Sequence, residues 1–160
     1  MKSSWRFNVN ILPFLALAAG AAIAIQATMN AQLGVLLKSS MMGTSIAFLF
    51  SFLFIVSAML LSAKQYPNMT EIKSIPLYLW FSGGALSAFG VGMFYYLIPK
   101  MGVGSMMSYA LSGQILIAIL ASHLGWFDLP VKPVNFFKVV GAALLIVGVL
   151  LINWESSYAH

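Results

Sequence analysis

The chain contains no cysteine, only three acidic residues and 7% charged residues overall. Without cysteine, disulfides, thiol catalysis and cysteine-type zinc sites are excluded, although the compartment is not identified. Ordinary soluble domains carry about 25% charged residues. A soluble protein of 160 residues that is 61% hydrophobic could not hide its apolar surface, so the bilayer must act as its solvent. The three acids, Glu71, Asp128 and Glu155, all fall in polar gaps or at the ends of apolar runs. The chain therefore has no mid-membrane carboxylate, the group that serves many proton-driven carriers as proton site. Long polar stretches are missing too. The longest, 64–74, is eleven residues, which leaves the expectation of a single membrane domain over 1–160 with no soluble catalytic part.

What is present is a repeated absence of charge. Arg6 and Lys38 enclose 31 uncharged residues, Lys38 and Lys64 enclose 25, and Lys73 and Lys100 enclose 26. Lys100 and Asp128 enclose 27, and Lys138 and Glu155 enclose 16. A helix needs about 20 mostly apolar residues to cross roughly 30 Å of hydrocarbon. The last run reaches that length once 133–137 and the snorkelling stem of Lys138 are included. Backbone polar groups in hydrocarbon must be satisfied internally, which forces helices. The expected fold is an all-α integral membrane protein, a five-transmembrane-helix bundle with helices at about 8–37, 41–63, 75–99, 102–123 and 134–154. The start of the chain, with Lys2, Arg6 and then Ala22-Ile23-Ala24, has the layout of a signal peptide. Its apolar run continues past any cleavage site, which favours a first membrane helix.

The net charge is +5. The basic residues are spread singly over the gaps without a basic patch, so they speak for topology and no nucleic-acid partner is expected. Cytoplasmic loops collect Lys and Arg. One side would hold Lys2, Arg6, Lys64, Lys73, Lys132 and Lys138, and the other Lys38 and Lys100. This 6:2 split predicts a cytoplasmic N-terminus and an external C-terminus. Trp5, Trp80, Trp126 and Trp154 lie near expected helix ends, where amphipathic rings prefer to sit.

The polar residues inside the runs are uncharged and concentrated. The first span carries Gln26, Thr28, Asn30 and Gln32, and the fourth carries Ser108, Ser112 and Gln114. Gln26 and Asn30 share one helix face, as do Ser108 and Ser112, because each pair is four residues apart. An amide in hydrocarbon without a partner costs several kcal/mol, so these groups must meet protein or water. Two readings stay open, interhelical hydrogen bonding and the lining of a polar path for an uncharged or weakly charged solute. In the third span Gly84, Ala88 and Gly92 form a small-residue ladder at spacing four, suited to close helix packing or to sliding during alternating access. Gly141, Ala142 and Gly148 repeat it weakly. Tyr95 and Tyr96 suit either a pocket or an interfacial belt. His123, a histidine close to the expected membrane boundary, stands five residues before Asp128. The pair is read as a solvated interface or as a proton entry site. Met41-Met42 and Met106-Met107 are apolar filler. No metal site and no cofactor are expected.

Gly20, Gln26, Asn30, Leu33 and Gly34 in the first span, the stretch SGGALSAFGVG up to the PKMGVG turn, then SGQ, SHLGWF and the final KVVGAALLIVGVLL resemble one family. It is the five-helix, YdcZ-type branch of the drug/metabolite transporter (DMT) superfamily of bacterial inner-membrane proteins, and the resemblance spans roughly 14–152. It implies half of a ten-helix inverted-repeat transporter, with the substrate site at the midplane between halves. It also implies a second five-helix subunit of opposite orientation, either an inverted copy or a different chain. The one-way charge bias favours a different chain. The resemblance places Gln26, Asn30 and Gln114 at shared polar positions, and His123 more loosely. The smaller four-helix relatives use a first-helix glutamate to bind cations and protons. This first span has no acid, so that chemistry does not carry over.

The expected function is a secondary, non-ATP transporter subunit of the bacterial inner membrane. It would export a small organic solute or metabolite by alternating access in an antiparallel dimer. The alternative is a non-transporting structural or assembly subunit in which the same amides are dry packing groups. An enzyme would need clustered acids, histidines or a nucleophile with its base, and none is present.

Overall fold

A computed structural model describes residues 11–62, 66–128 and 130–154. Lys2, Trp5, Arg6, Lys64 and Glu155, together with the first three residues of the first expected span, lie outside the described residues. The described protein is helical throughout. It comprises α1 Leu12–Leu36, α2 Ser40–Ser62, α3 Met69–Ser74, α4 Leu77–Met101, α5 Val103–Leu124 and α6 Phe136–Ile152, with a short turn Trp126–Asp128 after α5. Four of these helices, α1, α2, α4 and α5, are long and apolar enough to cross a membrane. α6 is apolar but shorter, 17 residues. The exterior is what a lipid solvent calls for. Phe54 is 75% and Leu61 88% exposed.

The helix ends follow local chemistry. Pro13 sits in the first turn of α1, where a missing N–H costs nothing. α3 was not expected from the spans. It begins with a capping box in which Asn68 Oδ1 accepts from the Glu71 N–H and a Glu71 carboxylate oxygen accepts from the Asn68 N–H. It ends at Ile75, whose extended backbone is the conformation favoured before Pro76. α4 then starts later than expected and runs through Pro99 to Met101.

The chain forms two compact units, one ending at Lys100 and the other beginning at Met101. In the first unit α1 and α2 form a tight hairpin. The Ser39 N–H donates to the Gly34 carbonyl and the Lys38 N–H to the Val35 carbonyl, the two bonds of a Schellman motif. That motif needs a left-handed residue after the helix. Here the position is held by Lys38 (φ 55°) instead of glycine. Ser39 then caps α2, its Oγ accepting from the Met42 N–H. The backbones touch at Gly34 and Gly43. A Cβ on Gly43 would stand 3.0 Å from the Gly34 Cα and N. α4 meets this hairpin where a Cβ on Gly92 would lie 3.6 Å from Thr44 Oγ1.

In the second unit α5 and α6 pack together around buried Met106 and Val149. The connection is pinned at three points. The Lys132 N–H donates to the Ser122 carbonyl, the Val134 N–H to His123 Nδ1, and Lys138 Nζ to the carbonyls of Lys132 and Pro133. Asn135 caps α6 through its Oδ1, which accepts from the Lys138 N–H.

Candidate functional site

The first-span amides do what their spacing allows, and they recruit a third group. Asn30 Nδ2 donates to Gln26 Oε1 at 2.8 Å and to Tyr95 OH at 2.9 Å. Tyr95 OH in turn donates to Gln26 Oε1 at 3.2 Å. The result is a closed polar triangle between α1 and α4. With about 1.5 Å rise per residue, Asn30 lies about 9 Å and Gln26 about 15 Å inside the Leu36 end of α1, well within its apolar length. Tyr95 is only 2% exposed, Asn30 is half-buried and Gln26 is open.

The triangle consumes both Asn30 donors, the tyrosyl proton and the Gln26 carbonyl. Among the described residues it leaves Gln26 Nε2 and Asn30 Oδ1 without protein partners. The unpaired groups are the two N–H donors of Nε2 on open Gln26 and the Oδ1 acceptor of half-buried Asn30. That pattern matches a hydroxyl, amide or similar neutral polar group, and nothing in it can take up or release a proton near neutral pH.

Tyr95 also opens onto a pocket of about 430 Å³ in the same unit. Its walls include Lys38, Ser39 and Ser40 from the α1–α2 turn and Tyr95, Tyr96 and Lys100 from the end of α4. Lys100 Nζ bonds Tyr96 OH and lies 3.7 Å from the centre of the Tyr96 ring. Both tyrosines line this pocket, Tyr95 from a buried position and Tyr96 from an exposed one beside Lys100.

In the second unit Ser112 Oγ donates to the Ser108 carbonyl at 2.9 Å and Ser108 Oγ donates to the Ser105 carbonyl at 2.8 Å. These bonds satisfy the hydroxyls within α5. Ser108 Oγ also accepts from Asn153 Nδ2 at 2.9 Å, and the same nitrogen donates to the Val149 carbonyl at 2.7 Å. Asn153 is buried and its Oδ1 has no partner. Gln114 is exposed on α5, and its amide has no partner among the described residues. His123 is held by the Val134 N–H, and Asp128 is exposed at a left-handed position (φ 58°). No ion pair joins His123 and Asp128. In the small-residue ladder, Gly92 faces Thr44, while nothing lies within 4 Å of a Cβ on Gly84 and Ala88 is exposed. Among the described residues no cluster of His, Asp or Glu could hold a metal ion.

The structure thus joins Gln26 to Asn30 and Ser108 to Ser112, gives Tyr95 two amide partners, and adds Asn153, which sequence reasoning does not single out. The only signal for Asn153 is a carboxamide at the close of an otherwise apolar run. Lys38 and Lys100 counted only as loop charges.

The family model DMT_YdcZ, described as "Putative inner membrane exporter, YdcZ", matches residues 11–151. No curated protein and no solved structure matches the chain. The matched stretch takes in α1, α2, α4 and α5 and all but the last residue of α6, and its description agrees with a multi-pass apolar helical protein. The chain belongs to the YdcZ family of inner-membrane exporters.

Proposed function

We propose that this chain is one five-helix half of a secondary transporter that exports a small, neutral or weakly charged organic solute. In this reading α6 is the fifth span, its 17 residues lying at the short end of the spanning range. A second five-helix subunit inserted in the opposite sense completes the carrier, and the solute passes between the halves by alternating access. The observation that carries the reading is the unpartnered amide groups that the Gln26–Asn30–Tyr95 triangle leaves on Gln26 and Asn30. Two donors and an acceptor stand deep in an apolar helix, where an unmet polar group costs several kcal/mol. A passing solute or its water would meet them. The partnerless amide of Gln114 makes the same demand in the second unit.

A structural subunit is favoured by a different feature, the Asn30–Tyr95 bond that ties α1 to α4. One experiment separates the two. The protein has no native cysteine, so Gln26→Cys, Asn30→Cys and Gln114→Cys can each be labelled with a membrane-impermeant thiol reagent from either side. The carrier reading expects labelling from both sides that changes when a transported solute is added. Absence of labelling in a folded, inserted protein would make the amides packing groups and favour the structural subunit.

A further inference from the structure

The pocket beside Tyr95 contains the two lysines that the charge bias leaves on the minority side. Lys38 lies in the α1–α2 turn and Lys100 at the end of α4, and both line the same space. Lysines at helix ends commonly anchor a membrane protein at the interface, and that role needs no convergence. These two converge on a pocket with aromatic and apolar walls, Tyr95 and Tyr96 among them.

Three further features point the same way. Lys38 adopts a left-handed backbone (φ 55°) at a position where glycine or asparagine carries less strain. A residue held in that region is a reason to look for function. The same turn begins α2, so the Ser40 and Met41 N–H groups at the pocket wall are first-turn amides without intrahelical partners. Finally, no acid lines the pocket among the described residues. Neither lysine makes an ion pair among the described residues, α2 has no acid in its first turn, and the Glu71 carboxylate is engaged by the Asn68 N–H at 2.8 Å. Two ammonium groups, a helix start and an aromatic wall in one pocket complement a negatively charged oxygen cluster attached to an apolar group.

We propose that this pocket binds an oxyanion carried on an apolar body. The oxygens would sit between Lys38, Lys100 and the start of α2, and the apolar part against Tyr95 and Tyr96. Two sources offer this chemistry, the phosphate of an anionic lipid and a soluble organic anion. The inference does not depend on transport, so it can fail while the carrier reading stands, and the reverse.

The test uses the full chain purified in a neutral maltoside detergent. Phenyl phosphate binding is measured by calorimetry, with benzyl alcohol as the uncharged counterpart. Dioleoylphosphatidylglycerol retention is read by native mass spectrometry. Lys38→Asn removes the charge while suiting the left-handed turn, so loss of binding there cannot be blamed on a strained backbone. Lys100→Gln removes the second charge, and Lys73→Gln on α3 is the control. The expected result is phenyl phosphate binding weakened about tenfold by either pocket variant, as fits loss of one charge-assisted contact, and unchanged by the control. Lipid retention displaced by phenyl phosphate and lost in the double variant would identify the headgroup as the source. Phenyl phosphate binding without lipid retention would identify a soluble anion. The proposal is overturned if neither probe binds, if the double variant binds as the parent does, or if benzyl alcohol binds as tightly as phenyl phosphate.

Discussion

Gly43 leaves no room for a side chain. A methyl group there would sit 3.0 Å from the Gly34 Cα and N and 3.2 Å from the Asn30 carbonyl oxygen. All three are backbone atoms, so no rotamer change can relieve the clash, and the α1–α2 hairpin would have to open. Gly84 is the internal contrast, with nothing within 4 Å of an added Cβ. Gly43→Ala is therefore expected to destabilise the protein by about 1–3 kcal/mol, the usual cost of overpacking. Gly84→Ala should change the stability of the purified subunit by no more than about 0.5 kcal/mol. Unfolding by SDS titration in mixed micelles, followed by circular dichroism, measures both. Equal losses at the two positions would mean that the hairpin is not packed as described. The same contact bears on the site, because opening the hairpin at Gly34 and Gly43 would move Asn30, whose carbonyl oxygen is one of the three atoms in the way.

Between elements, long-range polar bonds are what the sequence conceals. Asn153 and Ser108 are 45 residues apart, and their bond joins α6 to α5. Interhelical hydrogen bonds in membranes contribute about 0.6 kcal/mol on average and up to about 1.7. A double-mutant cycle of Ser108→Ala and Asn153→Ala should give a coupling within that range in the same unfolding assay. Zero coupling would place the Asn153 amide elsewhere in the bilayer. The four long spans are legible from the spacing of lysines, because hydrocarbon excludes charge over a fixed thickness. The Gln26–Asn30 bond is legible too, since four residues is one helical turn. Tyr95 is not, because its partner Asn30 lies 65 residues away and no local period encodes that distance. α3 is legible only through Asn68 and Glu71. Six residues are too few for a hydrophobic period, and a polar gap of eleven reads as loop unless the capping box is sought. Lys38 and Lys100 look like isolated loop charges because sequence shows which side of a membrane they share, but not that they share a pocket.

At the scale of the whole molecule, the proposed carrier needs a second subunit, and charge asymmetry bears on which kind it would be. The pocket places Lys38 and Lys100 at one end of the first unit, as alternation of spans requires of the gaps that hold them. Six basic residues are assigned to the opposite side. By the positive-inside rule this bias predicts one-way insertion with the C-terminus outside. On that prediction the chain would not supply its own inverted copy, and the proposed antiparallel carrier would need a different chain with the opposite bias. Alkaline phosphatase fused at the C-terminus should therefore be active, and green fluorescent protein at the same point dark. Lys73→Gln with Lys132→Gln would cut the split from 6:2 to 4:2, and neither side chain has a hydrogen bond or ion pair among the described residues. In that background a fraction of molecules should become fluorescent, because only eight charges set the bias and two of the six have gone. If the parent chain already gives both signals, the bias is too weak to fix orientation. The protein then contains both topologies, and the antiparallel dimer is made from copies of this one chain. If the parent is one-way and the 4:2 variant is too, orientation is set by something other than these lysines.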